Sequence, residues 1–232
     1  MASDAPDWQK VLVLQSGGTV SDAPDWQRVA TGPGSSPLCG GTINGDWCPQ
    51  DFGWSAWTTA PTSPGLGLTP MAQQPTVSLM KAMATVTLTK VTMFTWAAGT
   101  GLVANDNYLG LYTAPETGGV PGHPALLGAT AQGAIDATIS AAGVHTYSLA
   151  TGVPVVAGQF YYAALLLNNS GAMPTLGYSA WLGGNTTNYF TLLGLLPGFR
   201  STATVTSFPG TLTPPAPGAG NANMYGPWMA FA

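Results

Sequence analysis

The sequence predicts an all-β protein: an antiparallel β-sandwich, jelly-roll-like, behind an extended, loop-rich N-terminal arm. Three observations carry that expectation. The 232 residues include 31 glycines and 20 prolines, which break helical periodicity and favour short strands joined by turns. Against this stand 45% apolar residues, with eight tryptophans, eight tyrosines and seven phenylalanines, a load of bulky side chains that disordered Gly/Pro-rich chains lack. The third is Gly158-Gln-Phe-Tyr-Tyr-Ala-Ala-Leu-Leu-Leu-Asn168, an uncharged run closed by the turn signal Asn168-Asn-Ser-Gly171. Such a run reads as a strand buried on both faces. Its paired tyrosines and turn-forming flanks decide against a buried helix.

In chain order, residues 1–37 form the arm, which holds an internal repeat. Ser3-Asp-Ala-Pro-Asp-Trp-Gln-Lys-Val11 returns as Ser21-Asp-Ala-Pro-Asp-Trp-Gln-Arg-Val29, with only Lys changed to Arg. Asp-Ala-Pro-Asp is turn chemistry, since Asp caps backbone N–H groups and Pro presets φ. Each turn, with Asp7 or Asp25, delivers a large apolar anchor, Trp8 or Trp26. The first repeat runs on into an alternating segment, residues 8–15, ended by Ser16-Gly-Gly18. Two readings stand side by side. The tryptophans dock the arm into pockets on a larger body, or the repeat is a duplicated strand of the protein's own sheet.

Gly32-Pro-Gly-Ser-Ser-Pro37 opens an irregular connector, residues 38–75, rich in tryptophan and proline. Cys39 and Cys48 are too far apart for a Cys-x-x-Cys motif. They either close a small disulfide loop outside a reducing cytosol or remain two thiols. Trp54 and Trp57 are candidate surface-contact residues, since indole faces stack on saccharides or meet another chain. The plainer reading is a small local core, because each tryptophan can bury roughly 200 Å².

From Thr76 the sandwich domain, residues 76–232, shows regular strand signals. Residues 85–96 are β-branched and partly alternating, and residues 108–112 follow the turn Asn105-Asp-Asn107. After a long loop at 115–124, short runs come at 125–127, 135–139, 146–149 and 154–156. Then follow the central run at 158–168 and further strands at 175–178 and 189–193. Thr213-Pro-Pro-Ala-Pro-Gly218 is a stiff connector before a last strand within 224–231. About eight to ten strands at these intervals suit a two-layered antiparallel sandwich.

Charge narrows the function class. Only 6% of residues are charged and the net charge is −4, against roughly 25% charged in ordinary soluble domains. The five bases Lys10, Arg28, Lys81, Lys90 and Arg200 are scattered, so no nucleic-acid footprint is expected. A surface this poor in charge suits an extracellular or assembled structural protein. The N-terminus lacks the basic and apolar regions of a signal peptide, and no run of about 18 apolar residues predicts a membrane span. Release by host lysis, as for a virus-particle protein, reconciles the two.

Catalytic signatures are missing: there is no Gly-x-Ser-x-Gly elbow, no His-Glu-x-x-His and no phosphate-binding loop. Asp106, Glu116 and Asp136 fall on separate loops, and nothing in the sequence makes them converge as a glycosidase pair. His123 reads as an exposed loop residue and His145 as a structural partner. The expectation is a protein that is not an enzyme, with no cofactor and no metal.

Leu109-Gly-Leu-Tyr-Thr113, Leu127-Gly-Ala-Thr130, Tyr147-Ser-Leu149 and Val155-Val-Ala-Gly-Gln-Phe-Tyr-Tyr-Ala-Ala-Leu165 together resemble β-sandwich heads of minor tail or fibre proteins of tailed bacteriophages. The two Asp-Ala-Pro-Asp-Trp-Gln repeats are similar to segments that open such proteins in phages of actinobacteria. The resemblance covers about two-thirds of the chain and brings no catalytic residues. It implies a virion structural protein, assembled in the host cytoplasm, that docks on other virion proteins through Asp7, Trp8, Asp25 and Trp26. It also implies a homotrimer whose sandwich meets the host surface, with a surface glycan as candidate ligand. A capsid decoration protein is the alternative, and a carbohydrate-binding lectin-like module the second.

Overall fold

The computed structural model describes residues 49, 53–58, 64–114, 123–179, 196–215 and 226–232. All lie in the compact unit Leu38–Ala232; the arm with its repeats, both cysteines and the run at 189–193 fall outside the described residues. Among the described residues there are eleven strands: β1 (Ala56–Trp57), β2 (Pro64–Leu68), β3 (Thr76–Ala82), β4 (Val86–Ala97), β5 (Tyr108–Thr113), β6 (Leu126–Ala129), β7 (Gly143–Val155), β8 (Phe160–Leu166), β9 (Thr175–Ser179), β10 (Gly198–Arg200) and β11 (Met229–Phe231). Every pairing between them is antiparallel. The all-β antiparallel class expected from the sequence is what the protein adopts.

The strands form two layers that share one hydrogen-bonded path. One layer runs β3-β8-β5-β6, with β10 beside β3; the other has β7 and β9 flanking β4, with β2 beyond β9. β11 and β1 join the layers, since β11 pairs with β4 and β1 pairs with β3. On the opposite side an isolated bridge, Thr130 to Leu149, connects the two layers again.

β8 occupies the middle of the first layer and is buried along nearly its whole length. Its alternation divides the core in two. Tyr161, Ala163 and Leu165 face inward with Leu109 and Leu111 of β5, against Leu88, Val91 and Met93 of β4 and Tyr147, Leu149, Val153 and Val155 of β7. Tyr162 and Ala164 face outward with Val77 and Leu79 of β3 and Tyr112 of β5. That outer face is roofed by the later chain, through Leu196, Phe199, Phe208 and Leu212. Phe199 meets Tyr162 edge-on at 5.4 Å, and Phe208 meets Tyr112 edge-on at 5.6 Å. Each such side chain contributes roughly 1.5–3 kcal/mol by leaving water. The phenols are satisfied as they are buried: Tyr112 donates to the Pro209 carbonyl at 2.9 Å, and Tyr162 accepts from the Leu196 N–H at 3.1 Å.

Several expectations need correction. The run at 135–139 is not a strand but part of a turn, in which the Ile139 N–H donates to the Ile135 carbonyl at 3.0 Å. Isoleucines four apart share one side of a helical turn, and both are fully buried there. The run at 146–149 and the first two residues of the run at 154–156 belong to the single strand β7, whose ladder with β4 absorbs a register shift between Leu88 and Lys90. The described part of the 38–75 segment is not separate from the sandwich, because β1 and β2 are strands of the same sheet. Strands β3 and β10, Thr-Val-Ser-Leu-Met-Lys-Ala and Gly-Phe-Arg, carry no regular alternation of their own.

Burial raises the Tyr162 pKa to about 12, with the Leu196 N–H pulling the other way, and burial raises that of Tyr112 as well. Unfolded tyrosine titrates near ~10. The fold therefore prefers neutral phenols, and this part of its stability is complete below about pH 10 and lost as pH rises through the folded values. Melting temperature should hold up to about pH 10 and then fall steeply. Tyr162→Phe should make that fall shallower in thermal unfolding curves; an unchanged alkaline limb would show that Tyr162 does not titrate with unfolding.

Candidate interaction surface

The outward face of β4 and β7 is built by strand alternation. Val91, Met93 and Thr95 point into the core, which sends Thr92, Phe94 and Trp96 outward. Phe94 lies over β9 at Gly177, where an added Cβ would stand 3.1 Å from its ring. Trp96 meets Phe94 edge-on at 6.1 Å and is 52% exposed. Across the ladder Val144, opposite Phe94, is 67% exposed. Beside this apolar corner the Thr92 and Thr146 hydroxyls share a hydrogen bond of 2.8 Å. One charged side chain, Lys90, stands further along β4 on the same face. The result is a firm sheet face with an apolar end and a hydroxyl middle.

Among the described residues the first layer's outer face is covered by residues 196–212, whereas the end of this one is exposed at Trp96 and Val144, with Thr92 buried beside it. Large apolar groups scattered singly on a surface are ordinary; Trp96 against Phe94, with Val144 across the ladder, makes this corner the candidate contact site. Sequence reasoning missed it because the 85–96 run showed only partial alternation. The available signal was Phe-Thr-Trp, two aromatics two apart in a strand and therefore on one face.

The second feature is a polar knot. Asp136 accepts from the Asn105 backbone N–H at 2.6 Å and from Asn107 Nδ2 at 2.8 Å. Asn107 is fully buried, and its Oδ1 accepts from the Asn168 N–H at 2.8 Å. Asp106 accepts from Asn168 Nδ2 at 2.9 Å. Two of the three carboxylates expected on unrelated loops thus enter one network, which also raises the Tyr108 pKa, first through burial and then through both aspartates. Each carboxylate is occupied by amide donors that tie the start of β5 to the end of β8. The arrangement is structural cross-bracing. Glu116 lies outside the described residues.

Of the remaining candidates, Trp54 and Trp57 are half-buried and meet edge-on at 6.3 Å, and Trp54 meets buried Trp228 at 5.7 Å. They form a small aromatic cluster against the last strand. His123 is exposed, within 3.1 Å of the Leu212 carbonyl. His145 lies in β7, stacked on Tyr147 and 2.8 Å from the Ala141 carbonyl. Asp7, Trp8, Asp25 and Trp26, expected as docking anchors, lie outside the described residues. Among the described residues no three His, Cys, Asp or Glu side chains gather to hold a metal, and no helix is long and apolar enough to cross a membrane.

Two substitutions separate these features. Asp136→Ala should lower stability by about 1–3 kcal/mol, because it removes the acceptor of the Asn105 N–H and of one N–H of the buried Asn107 amide, whose other N–H keeps the Val103 carbonyl. Trp96→Ser should stay within about 0.5 kcal/mol of the parent. Denaturant unfolding checks both, and a large loss for Trp96→Ser would place that ring in the core. No protein-family model matches the chain, and no curated protein matches it.

Proposed function

We propose that this protein is a structural component of a virion, a minor tail or fibre-type protein. In this reading it docks on its particle through Trp8 and Trp26 and presents its sandwich to the host surface or to neighbouring virion proteins. The observation that carries the reading is the end of the β4–β7 face, where Trp96 and Val144 are exposed beside a half-buried Phe94. The charge-poor composition supports it: with 6% charged residues, the surface favours contact with other subunits over free solubility. The phage-tail resemblance of the repeats and of the segments around β5 and β8 adds the particle. The exposed indole beside threonine hydroxyls also suits a host-surface glycan, and the reading includes a homotrimer.

A capsid decoration protein is the second reading, favoured by the same exposed corner if it covers capsomer junctions. Immunogold labelling of purified particles tests both. Gold on the tail supports the tail reading, gold on the capsid supports decoration, and unlabelled particles remove the virion role.

The arm has its own test. Interface tryptophans cost about 2–4 kcal/mol when truncated, roughly thirty- to nearly thousandfold in affinity. The double variant Trp8→Ala, Trp26→Ala should fold with an unchanged melting temperature and fail to join particles. Normal incorporation, or a large fall in melting temperature, would return the repeat to the protein's own sheet.

A further inference from the structure

Residues 226–232 are seated in a groove that the rest of the sheet builds. β11 lies between β4 and β1, with Met229 opposite Met93, Ala230 opposite Thr92 and Trp57, and Phe231 opposite Val91 and Ala56. Trp228 is 4% exposed, and Met229, Ala230 and Phe231 are fully buried. The groove reads this segment along its whole length. Ser78 Oγ donates to the Pro227 carbonyl at 2.9 Å, and Thr58 Oγ1 accepts from the Met229 N–H at 3.0 Å. Ser55 and Thr58 donate backbone N–H groups to the Phe231 and Met229 carbonyls at 2.7 and 2.9 Å. At the register shift in β4, the Thr89 and Lys90 N–H groups both reach the Ala232 carbonyl, at 2.7 and 2.9 Å. Only glycine fits at the entrance, because a Cβ on Gly226 would strike Ser78 Oγ and the Val77 carbonyl.

The groove therefore has the chemistry of a strand-acceptor site: two sheet edges, apolar pockets for alternate side chains, and a defined sequence that fits. Between Pro215 and Gly226 stand ten residues, 216–225. A chain of that length spans up to roughly 35 Å, about twice the ~16 Å radius of gyration of a compact unit of this size. Every contact made by the segment in its own groove is available in the groove of an identical neighbour. Exchange of an identical element is a low-cost route to an oligomer.

We propose that the β4–β1 groove is a strand-acceptor site that takes residues 226–232 of a second copy of this chain, so that copies assemble by exchanging their last strand. The proposal does not depend on the virion reading. It contains the identity of the partner, the contact surface and the sequence that is recognised.

Thr92 and Ala230 are ladder partners, and antiparallel partners stand within the Cα separations that a disulfide bridges. In full-length protein with Cys39→Ser and Cys48→Ser, one population carries Thr92→Cys and the other Ala230→Cys. Co-expressed and oxidised, neither chain can form the bond alone. A two-chain band on a non-reducing denaturing gel is the expected result, since only a strand delivered in trans brings the thiols together. Absence of that band, with the bond formed within one chain when both substitutions share it, overturns the proposal. Sedimentation of the unmodified protein gives an independent decision: a mass near 23.6 kDa at micromolar concentration overturns it whatever the thiols do, and a multiple of that mass is expected.

Discussion

The structure depends on one constraint, that β8 has no face to give to water. A strand carrying Tyr161, Ala163 and Leu165 on one side and Tyr162 and Ala164 on the other needs apolar cover on both. The inner cover is the β4–β7 layer. The outer cover has to come from elsewhere, and it is drawn from the irregular chain around Phe199, Phe208 and Leu212. That roof explains why residues 196–215, with three strand residues among them, are nevertheless held in place. Their aromatic rings lock against Tyr112 and Tyr162, and the phenol oxygens fasten their backbone.

What could be seen in the sequence follows from how local each signal is. The 158–168 run announced a doubly buried strand because between Gln159 and Asn168 it has no charged or amide side chain on either face. β5 was visible through its turn and its aliphatic alternation. β3 was not: Thr-Val-Ser-Leu-Met-Lys-Ala mixes polar and apolar residues, and its threonine and serine are buried because neighbours supply hydrogen-bond partners. β1 and β10 are only two and three residues long; strands so short exist because longer partners hold them. Ile135 and Ile139 misled because five residues are too few to tell a strand from a helical turn.

The candidate surface shows the same limit. Two aromatics at alternate positions of β4 indicate a shared face, but whether that face looks inward or outward depends on the Leu88–Lys90 register shift, which no local pattern reveals. The convergence of Asp106 and Asp136 is equally non-local. It is made by Asn107 and Asn168, which read in the sequence as turn residues and act in the fold as buried connectors.

The position of β11 has a consequence for how the chain is made. Residues 226–232 leave the ribosome after every other strand of the sheet, yet they lie at its junction and pair with residues about 170 positions earlier, as in Ala56 with Phe231. Sheets closed by such distant pairings form slowly. Until those residues emerge, β4 and β1 expose the edges that they will later share, a state open to association with other unfinished chains. Synthesis close to sister copies, as on one messenger, would bring several such edges together before any one of them is filled.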